Sequence, residues 1–251
     1  MQPVAKADSA DLHGSDSLNE GERIRREYEK RAASLPSDYY AWHREENQYF
    51  QTSARRAVTE LLRRSGTFPL TNTEIADIGC GNGQWLLEFL QWGATPARLH
   101  GIDLLEDRIA YAGERAPGAD LRVGDASRLP WADQSMGLTT QFTVFSSIVD
   151  SALRARVAAE MRRVTRHGGS ILWYDLRRSN PARPGVRGID GAEIERLFPG
   201  CEIQFRTATL APPIARKVLR WSWAAAFALE TIPLACTHTA ALIRNCRTHS
   251  D

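Results

Sequence analysis

The spacing of apolar positions changes along this chain and divides it into stretches of different character. The first 20 residues are rich in Asp, Ser, Ala and Gly and lack an apolar stripe, which predicts a disordered tail with no signal-peptide-like segment. From 22 to 64 the spacing is helical. Helices are predicted over 22–31 and 38–64, parted at Pro36, with Ala54, Val58, Leu61 and Leu62 on one face of the second. Between 74 and 175 short apolar runs alternate with amphipathic stretches, an order that predicts parallel strands joined by crossover helices. Strands are expected at 74–78, 99–103, up to 123, at 136–142 and at 170–173, the last preceded by a helix end and a Gly168-Gly169 turn. Beyond them come a short helix at 191–198, a strand at 201–210, a helical insertion at 212–233 and a last strand at 237–244.

The first strand runs into Asp77-Ile78-Gly79-Cys80-Gly81-Asn82-Gly83, followed by a helix from Gln84. Glycines at alternate positions allow a sharp turn and let a ligand approach the main chain, and a helix N-terminus then offers unpaired N–H groups. Such a turn suits a nucleotide-like cofactor. A dinucleotide fingerprint spaces its glycines G-x-G-x-x-G, whereas here the third glycine arrives one residue early. Asp103, at the end of the next strand, suits a ribose with either cofactor class.

Three later segments narrow the choice: Val123-Gly124-Asp125-Ala126, the strand Met136-Gly137-Leu138-Thr139-Thr140-Gln141-Phe142, and the helix end and Gly-Gly step before Ser170-Ile171-Leu172-Trp173. With the glycine turn they make residues 70–180 resemble the class I S-adenosylmethionine-dependent methyltransferases, within them the type 11 small-molecule group. The resemblance implies an α/β Rossmann-like fold, a mostly parallel seven-stranded sheet with helices on both faces and an antiparallel last strand. It implies a helical lid at 21–68 over a cofactor-binding domain at 69–251, with the insertion opening the terminal hairpin. Two positions depart from the family pattern, Met136-Gly137 in place of Phe-Asp and His167 in place of Pro, and neither is a cofactor position. Gly137 is expected to loosen the start of the fourth strand.

By the same resemblance, Gly79, Cys80, Gly81 and Gly83 would line the methionine end of the cofactor, with Asp77 holding the turn. Asp103 would accept the ribose hydroxyls, Leu104 would pack on adenine, and Asp125 and Ala126 would meet its amino edge. Gln141 and Phe142 would stand beside the methionine moiety, and Tyr28 would close over it.

For the acceptor, Tyr39, Tyr174, Arg177, Arg178 and Asn180 are the substrate-binding candidates, since arginine forks bind anionic or hydroxyl-rich groups. Arg177 and Arg178 could equally face solvent or pair with Asp175 and Asp190. The aromatic run Tyr39, Tyr40, Trp42, His43, Tyr49 and Phe50 could form a lid or pack a helix onto the domain. The Trp-rich insertion reads as a lid, a dimer face or a buried helix. A sulfonium needs alignment more than activation, but a hydroxyl acceptor needs a base; His43 leads, with Asp175 and His238 behind. These features predict methyl transfer to a small-molecule or glycan-precursor acceptor, O-methylation favoured. The alternatives are a lipid- or quinone-like acceptor, a nicotinamide-dependent oxidoreductase, or a catalytically silent cofactor-binding protein. The missing Tyr-x-x-x-Lys pair counts against the oxidoreductase.

Composition narrows the partners. A net charge of +2 over 251 residues gives no basic stripe for nucleic acid. The longest apolar run, 221–236, is broken by Glu230 and Pro233 and is too short for a membrane span. Four scattered cysteines without C-x-x-C spacing predict reduced thiols in a cytoplasmic protein and no metal site, and Cys80 a small filler. With Lys6, Lys30 and Lys217 as the only lysines, arginine supplies the remaining positive charge, which points to a GC-rich bacterial coding bias.

Overall fold

The computed structural model describes residues 9–36, 38–39, 41–179 and 185–246. Two helices, α1 (Ser9–Ser34) and α2 (Glu45–Arg64), precede an alternation of β1 (Ile75–Ile78), α3 (Gln84–Gln91), β2 (Leu99–Asp103), α4 (Glu106–Arg115), β3 (Asp120–Val123), β4 (Met136–Phe142), α5 (Ser151–Val164) and β5 (Thr165–Leu176). The chain ends with α6 (Gly191–Leu197), β6 (Glu202–Leu210), α7 (Pro212–Val218), α8 (Trp223–Leu229) and β7 (Cys236–Arg244). The seven strands form one sheet in the order β3-β2-β1-β4-β5-β7-β6. The first five are parallel, and β7 runs antiparallel to both β5 and β6.

The strand period of two sorts the core onto both faces. Ile171 and Trp173 pack with α5 residues Val157 and Met161, whereas Leu172 and Tyr174 pack with α2 residues Val58, Leu61 and Leu62. Ala54, Val58, Leu61 and Leu62 are all buried, as the helical spacing predicts. A third cluster joins Tyr49 of α2 to Leu210, Ala215, Leu219 and Ala226.

Four expectations need correction. The segment 1–20 is not a tail throughout, because α1 begins at Ser9; residues 1–8 lie outside the described ones. A helix already nucleated in its docked turns extends at little cost, so no apolar stripe is needed there. The second helix starts at Glu45, because Asn47 Nδ2 caps the Tyr39 and Ala41 carbonyls and Arg44 pairs with Asp38, closing 38–44 as a turn. The Gly-Gly step is a bulge inside β5. Met136 faces Thr165 and Leu138 faces Ser170, so Gly168 and Gly169 fall in surplus residues. A Cβ on Gly169 would stand 2.9 Å from the carbonyl oxygens of Arg166 and Gly137. Finally, the insertion is two short helices, because Ser222 caps Ala225 N and starts α8 afresh. It does not open the hairpin, since β6 and β7 stay paired from Glu202↔Arg244 to Leu210↔Cys236.

At the far edge, Asp120 of β3 gathers Arg122, His100 Nδ1 (3.1 Å) and Trp131 Nε1 (3.1 Å). The Arg122 hydrogen bond, then those from His100 and Trp131, hold its carboxyl well below the usual 3.8. A depressed carboxylate stabilises above its unfolded pKa, and that contribution fades as pH falls below about 4. Asp120→Asn should therefore cost about 1 kcal/mol at pH 7, discounted for its solvent contact. Denaturant titration should show the gap to wild type closing in acid; a gap unchanged with pH would contradict the ion-pair role.

Candidate functional site

Between β1 and β4 the strand order reverses, and the crevice this leaves at the carboxyl ends of the strands is where open α/β sheets bind ligands. The turn after β1 is tied to β2 by Gly79 N and Cys80 N, which both donate to Ile102 O (2.8 and 3.0 Å). Gly79 has φ +69°, and a Cβ there would lie 2.4 Å from Val144 Cγ2 in the loop after β4. Gly81 has φ +51°, and a Cβ would meet nothing nearer than Arg108 Nη1 at 4.0 Å, so its open side faces the cavity. Gly83 differs: it is buried and does not line the cavity, and a Cβ would press on Ala112 of α4 at 3.1 Å. Its placement among the cofactor residues is corrected to a helix-packing role.

Three acids stand at strand ends. Asp103 accepts Gly81 N through Oδ2 (2.9 Å) and Leu105 N through Oδ1 (3.0 Å). Asp103 lines the cavity and each of its oxygens keeps a further lone pair, a pair of acceptors that suits two vicinal hydroxyls. Asp125 accepts Ser127 N (2.8 Å) and, with Leu104 and Ala126, lines the same end. Asp77 is buried and accepts from Thr140 Oγ1 (2.6 Å). Burial pushes its carboxyl up to about 7, with the Thr140 hydrogen bond opposing and the Asp103 charge adding to the rise. Cys80 lines the cavity almost wholly buried, and burial pushes its thiol up, away from the thiolate form.

The cavity encloses about 1180 Å³, ample for a nucleoside cofactor and an acceptor together. Tyr28 of α1 closes one side, its hydroxyl 3.3 Å from Ser147 Oγ and its ring under the Arg108 guanidinium at 4.1 Å. Phe142 stacks on Trp85 at 3.7 Å. The lining also includes Trp42, Phe50, Tyr174, Thr209, Pro212 and His238. Trp42 and Phe50 thus belong to the wall, not to plain helix packing. Tyr174 bonds through its hydroxyl to Thr209 Oγ1 and stacks on His238 at 4.9 Å. Burial pushes the His238 imidazole down to about 4 and the Tyr174 phenol up.

The His238 tautomer follows from its neighbours. Thr237 Oγ1 gives its single proton to Thr209 O (3.1 Å), so at 3.0 Å it must accept from His238 Nδ1–H. Nε2 keeps its lone pair.

Other sequence-predicted residues fall outside. His43 sits on the surface turn, 72% exposed, 3.7 Å from Asp38, and does not line the cavity; it is corrected as a base because the 38–44 turn directs it outward. Asp175 is fully buried, with Oδ2 accepting Ser146 N and Oδ1 accepting Leu176 N; burial lifts it to about 6, and it locks a loop instead of facing ligand. Gln141 is also buried, holding Val144 N through Oε1 (3.0 Å), while its Nε2 has no partner among the described residues. Tyr39 does not line the cavity, Arg177 donates to Pro233 O, Arg178 is exposed, and Asn180 and Tyr40 lie outside the described residues. Sequence reasoning missed Arg108, Trp85 and Arg55, which ion-pairs with buried Glu88. Position alone could have flagged the first two, since each occupies the opening turn of a helix that follows a ligand-facing strand end.

Residues 75–169 match the family model described as a methyltransferase domain. A phthiotriol/phenolphthiotriol dimycocerosates methyltransferase of Mycobacterium ulcerans is 29% identical over 130 residues, covering 51% of this chain and 46% of its own. A demethylmenaquinone methyltransferase of Desulfitobacterium hafniense is 29% identical over 119 residues, 45% of each. The chain thus spans about half the length of the curated relatives it matches. Among solved structures, the cyclase SpnF aligns at TM-score 0.60 with 18% identity over 82% of this chain and 87% of its own, a likeness of fold.

Two measurements test the cofactor end. Asp103→Ala should weaken S-adenosylmethionine binding by at least about 1.5 kcal/mol, the worth of a charge-assisted hydrogen bond, and calorimetric affinity unchanged by the substitution would remove the ribose assignment. Wild-type affinity for this cation should also rise with pH through about 7 as Asp77 ionises. Asp77→Asn should flatten that profile; a slope that persists would place the titrating group elsewhere.

Proposed function

We infer, for a chain that belongs to the class I S-adenosylmethionine-dependent methyltransferases, that the protein methylates a hydroxyl on a largely apolar, lipid- or quinone-like acceptor. The observation that carries this is the aromatic lining of the acceptor side by Trp42, Phe50 and Tyr174, with His238 and Thr209 as polar points among them. This reverses the sequence-based preference for a small-molecule or glycan-precursor acceptor over a lipid- or quinone-like one, because Arg177 and Arg178, the candidate anion readers, do not line the cavity. The names of the lipid and quinone methyltransferases to which the chain is similar favour the same order.

When bound, S-adenosylmethionine supplies an activated methyl group. The residues that fit it are Gly79, Gly81, Asp77, Asp103, Leu104, Asp125 and Ala126, on the geometry of the glycine cradle and the free lone pairs of Asp103. The remaining work is alignment and exclusion of water, which can lower a barrier by about 7–11 kcal/mol. Tyr28, Trp42 and Phe50 wall the cavity from the α1 and α2 side. His238 stands neutral, with the Nε2 lone pair able to accept a hydrogen bond from the acceptor hydroxyl and aim its oxygen. An alcohol oxygen that has gained a carbon substituent is far more acidic than an imidazolium, so even a histidine held near 4 can take its proton.

The test is a panel of quinols, phenols, hydroxylated long-chain lipids and sugars, scored by release of S-adenosylhomocysteine. Apolar acceptors should turn over and sugars should not; turnover of sugars alone would overturn the acceptor class. A cofactor-binding protein inert to the whole panel would point to the silent alternative. With a productive acceptor, His238→Ala should lower kcat about 10²–10⁴-fold at near-normal cofactor affinity, and His43→Ala should change neither. An undiminished kcat in the His238 variant would remove it from the reaction.

A further inference from the structure

We propose that the insertion between β6 and β7 is a docking surface for an anionic lipid bilayer, set beside the mouth of the cavity. The proposal rests on the apolar-acceptor reading above for its purpose, though not for its test. Within the insertion, Ala215 and Leu219, four residues apart, turn inward to the cluster around Tyr49. Helical bonding continues past α7, since Leu219 N donates to Ala215 O and both Trp221 N and Ser222 N donate to Val218 O. Ile214, Lys217 and Trp221 therefore share the opposite face, at i, i+3 and i+7. Trp221 is 89% exposed. At the other end of the insertion Ile232 and Leu234 are also exposed, Leu234 at 76%. Ala211 N donates to Ala235 O (2.8 Å), so these residues emerge beside the start of α7.

Large apolar side chains left in water on one segment mark an interaction site. The charges around them choose the partner. Residues 211–235 carry Arg216, Lys217 and Arg220 against a single acid, Glu230. Glu230 is turned inward, accepting from the Tyr49 hydroxyl (2.6 Å), and Arg216 is shared with Glu46. Lys217 and Arg220 are exposed next to Trp221, a tryptophan and cations that suit the headgroup layer of an anionic leaflet. No helix among the described residues is long and apolar enough to cross a membrane, so the contact would be interfacial.

The position fits delivery of an acceptor. Pro212, the first residue of α7, lines the cavity, and Trp42, 54% exposed, lines it from the α2 side. Trp223 Nε1 donates to Glu45 (2.7 Å), fixing the insertion against the start of α2. An acceptor leaving the bilayer at Trp221 would meet an apolar entrance rather than bulk water.

The experiment is co-sedimentation of the full chain with vesicles of phosphatidylcholine alone or mixed equally with phosphatidylserine. Binding to the mixed vesicles, weakened by salt, is expected. Lys217→Gln with Arg220→Gln should reduce partition roughly 25-fold, at roughly fivefold for each basic residue near the surface. Trp221→Ser, an exposed position whose change should leave the unfolding midpoint in place, should reduce partition roughly tenfold. No partition into anionic vesicles, or partition indifferent to both variants, would overturn the proposal. So would a concentration-dependent dimer abolished by Trp221→Ser, which would make this face a contact between copies. Vesicle binding needs no turnover, so the two readings fail separately. Methylation of a lipid-like acceptor in detergent without vesicle binding sinks the docking surface alone, and vesicle binding with turnover of sugars alone sinks the acceptor class alone.

Discussion

The carboxyl edge of the sheet depends on one close approach, between the turn after β1 and the loop after β4. At Gly79 the two segments pass so near that a single added methyl group would stand 2.4 Å from Val144. The reversal of strand order makes the approach necessary, because both segments leave the sheet side by side at the crevice. Each is held independently. The turn hangs on Ile102 O by two backbone N–H groups, and the loop is pinned by Gln141 at Val144 N and by Asp175 at Ser146 N. A side chain at 79 would have to displace the Val144 side chain from this position, and at φ +69° it would strain the turn as well.

Burial decides what each carboxylate at the site does. Asp175 and Asp77 both lose water and are lifted, to about 6 and about 7. Asp175 commits its two oxygens to backbone N–H groups and lies away from the cavity, so its charge serves the loop. Among the described residues Asp77 receives one side-chain hydrogen bond, from the Thr140 hydroxyl to Oδ1, and it lines the cavity with its other oxygen uncommitted. Asp103 is more open and divides its bonds evenly between two main-chain donors, Gly81 N and Leu105 N, so each oxygen keeps capacity for a further hydrogen bond. Three acids of one residue type thus differ in what they have left to offer, by exposure and by bonds already made.

What the sequence reveals here is what lies within one strand-turn-helix unit. The turn at Gly79–Gly83, the strands ending in Asp103 and Phe142 and the buried face of α2 are all local patterns, and all form. Errors arise where the outcome depends on which side of a strand a residue takes or on a distant partner. Tyr174 and Asp175 are adjacent and both looked ligand-facing, but the alternation that puts Tyr174 with Leu172 toward α2 sends Asp175 to the other side. His43 drew attention as a near-neutral base beside an aromatic run, yet a seven-residue ion-paired turn, Asp38 to Arg44, faces it to solvent. His238 owes its place to pairing with Leu176 and Ala208, and its tautomer to a threonine bonded across the hairpin, neither of which is visible in local sequence.

The closed hairpin also explains why the insertion can act as part of the site. Had it parted β6 from β7, His238 would have lost the register that stacks it on Tyr174. Instead, the excursion leaves at Leu210 and returns at Cys236 with its ends bonded, and its inner face is glued to α2 through Tyr49, Trp223 and Phe227. The aromatic contacts and the Tyr49–Glu230 hydrogen bond make one packed unit of the insertion and the start of α2. Pro212 and Phe50 of that unit line the cavity, while Trp221 and Lys217 of the same unit face outward. A closely packed unit moves as a whole. The outward-facing residues of the insertion and the cavity-lining residues Pro212 and Phe50 are therefore coupled through one packed core.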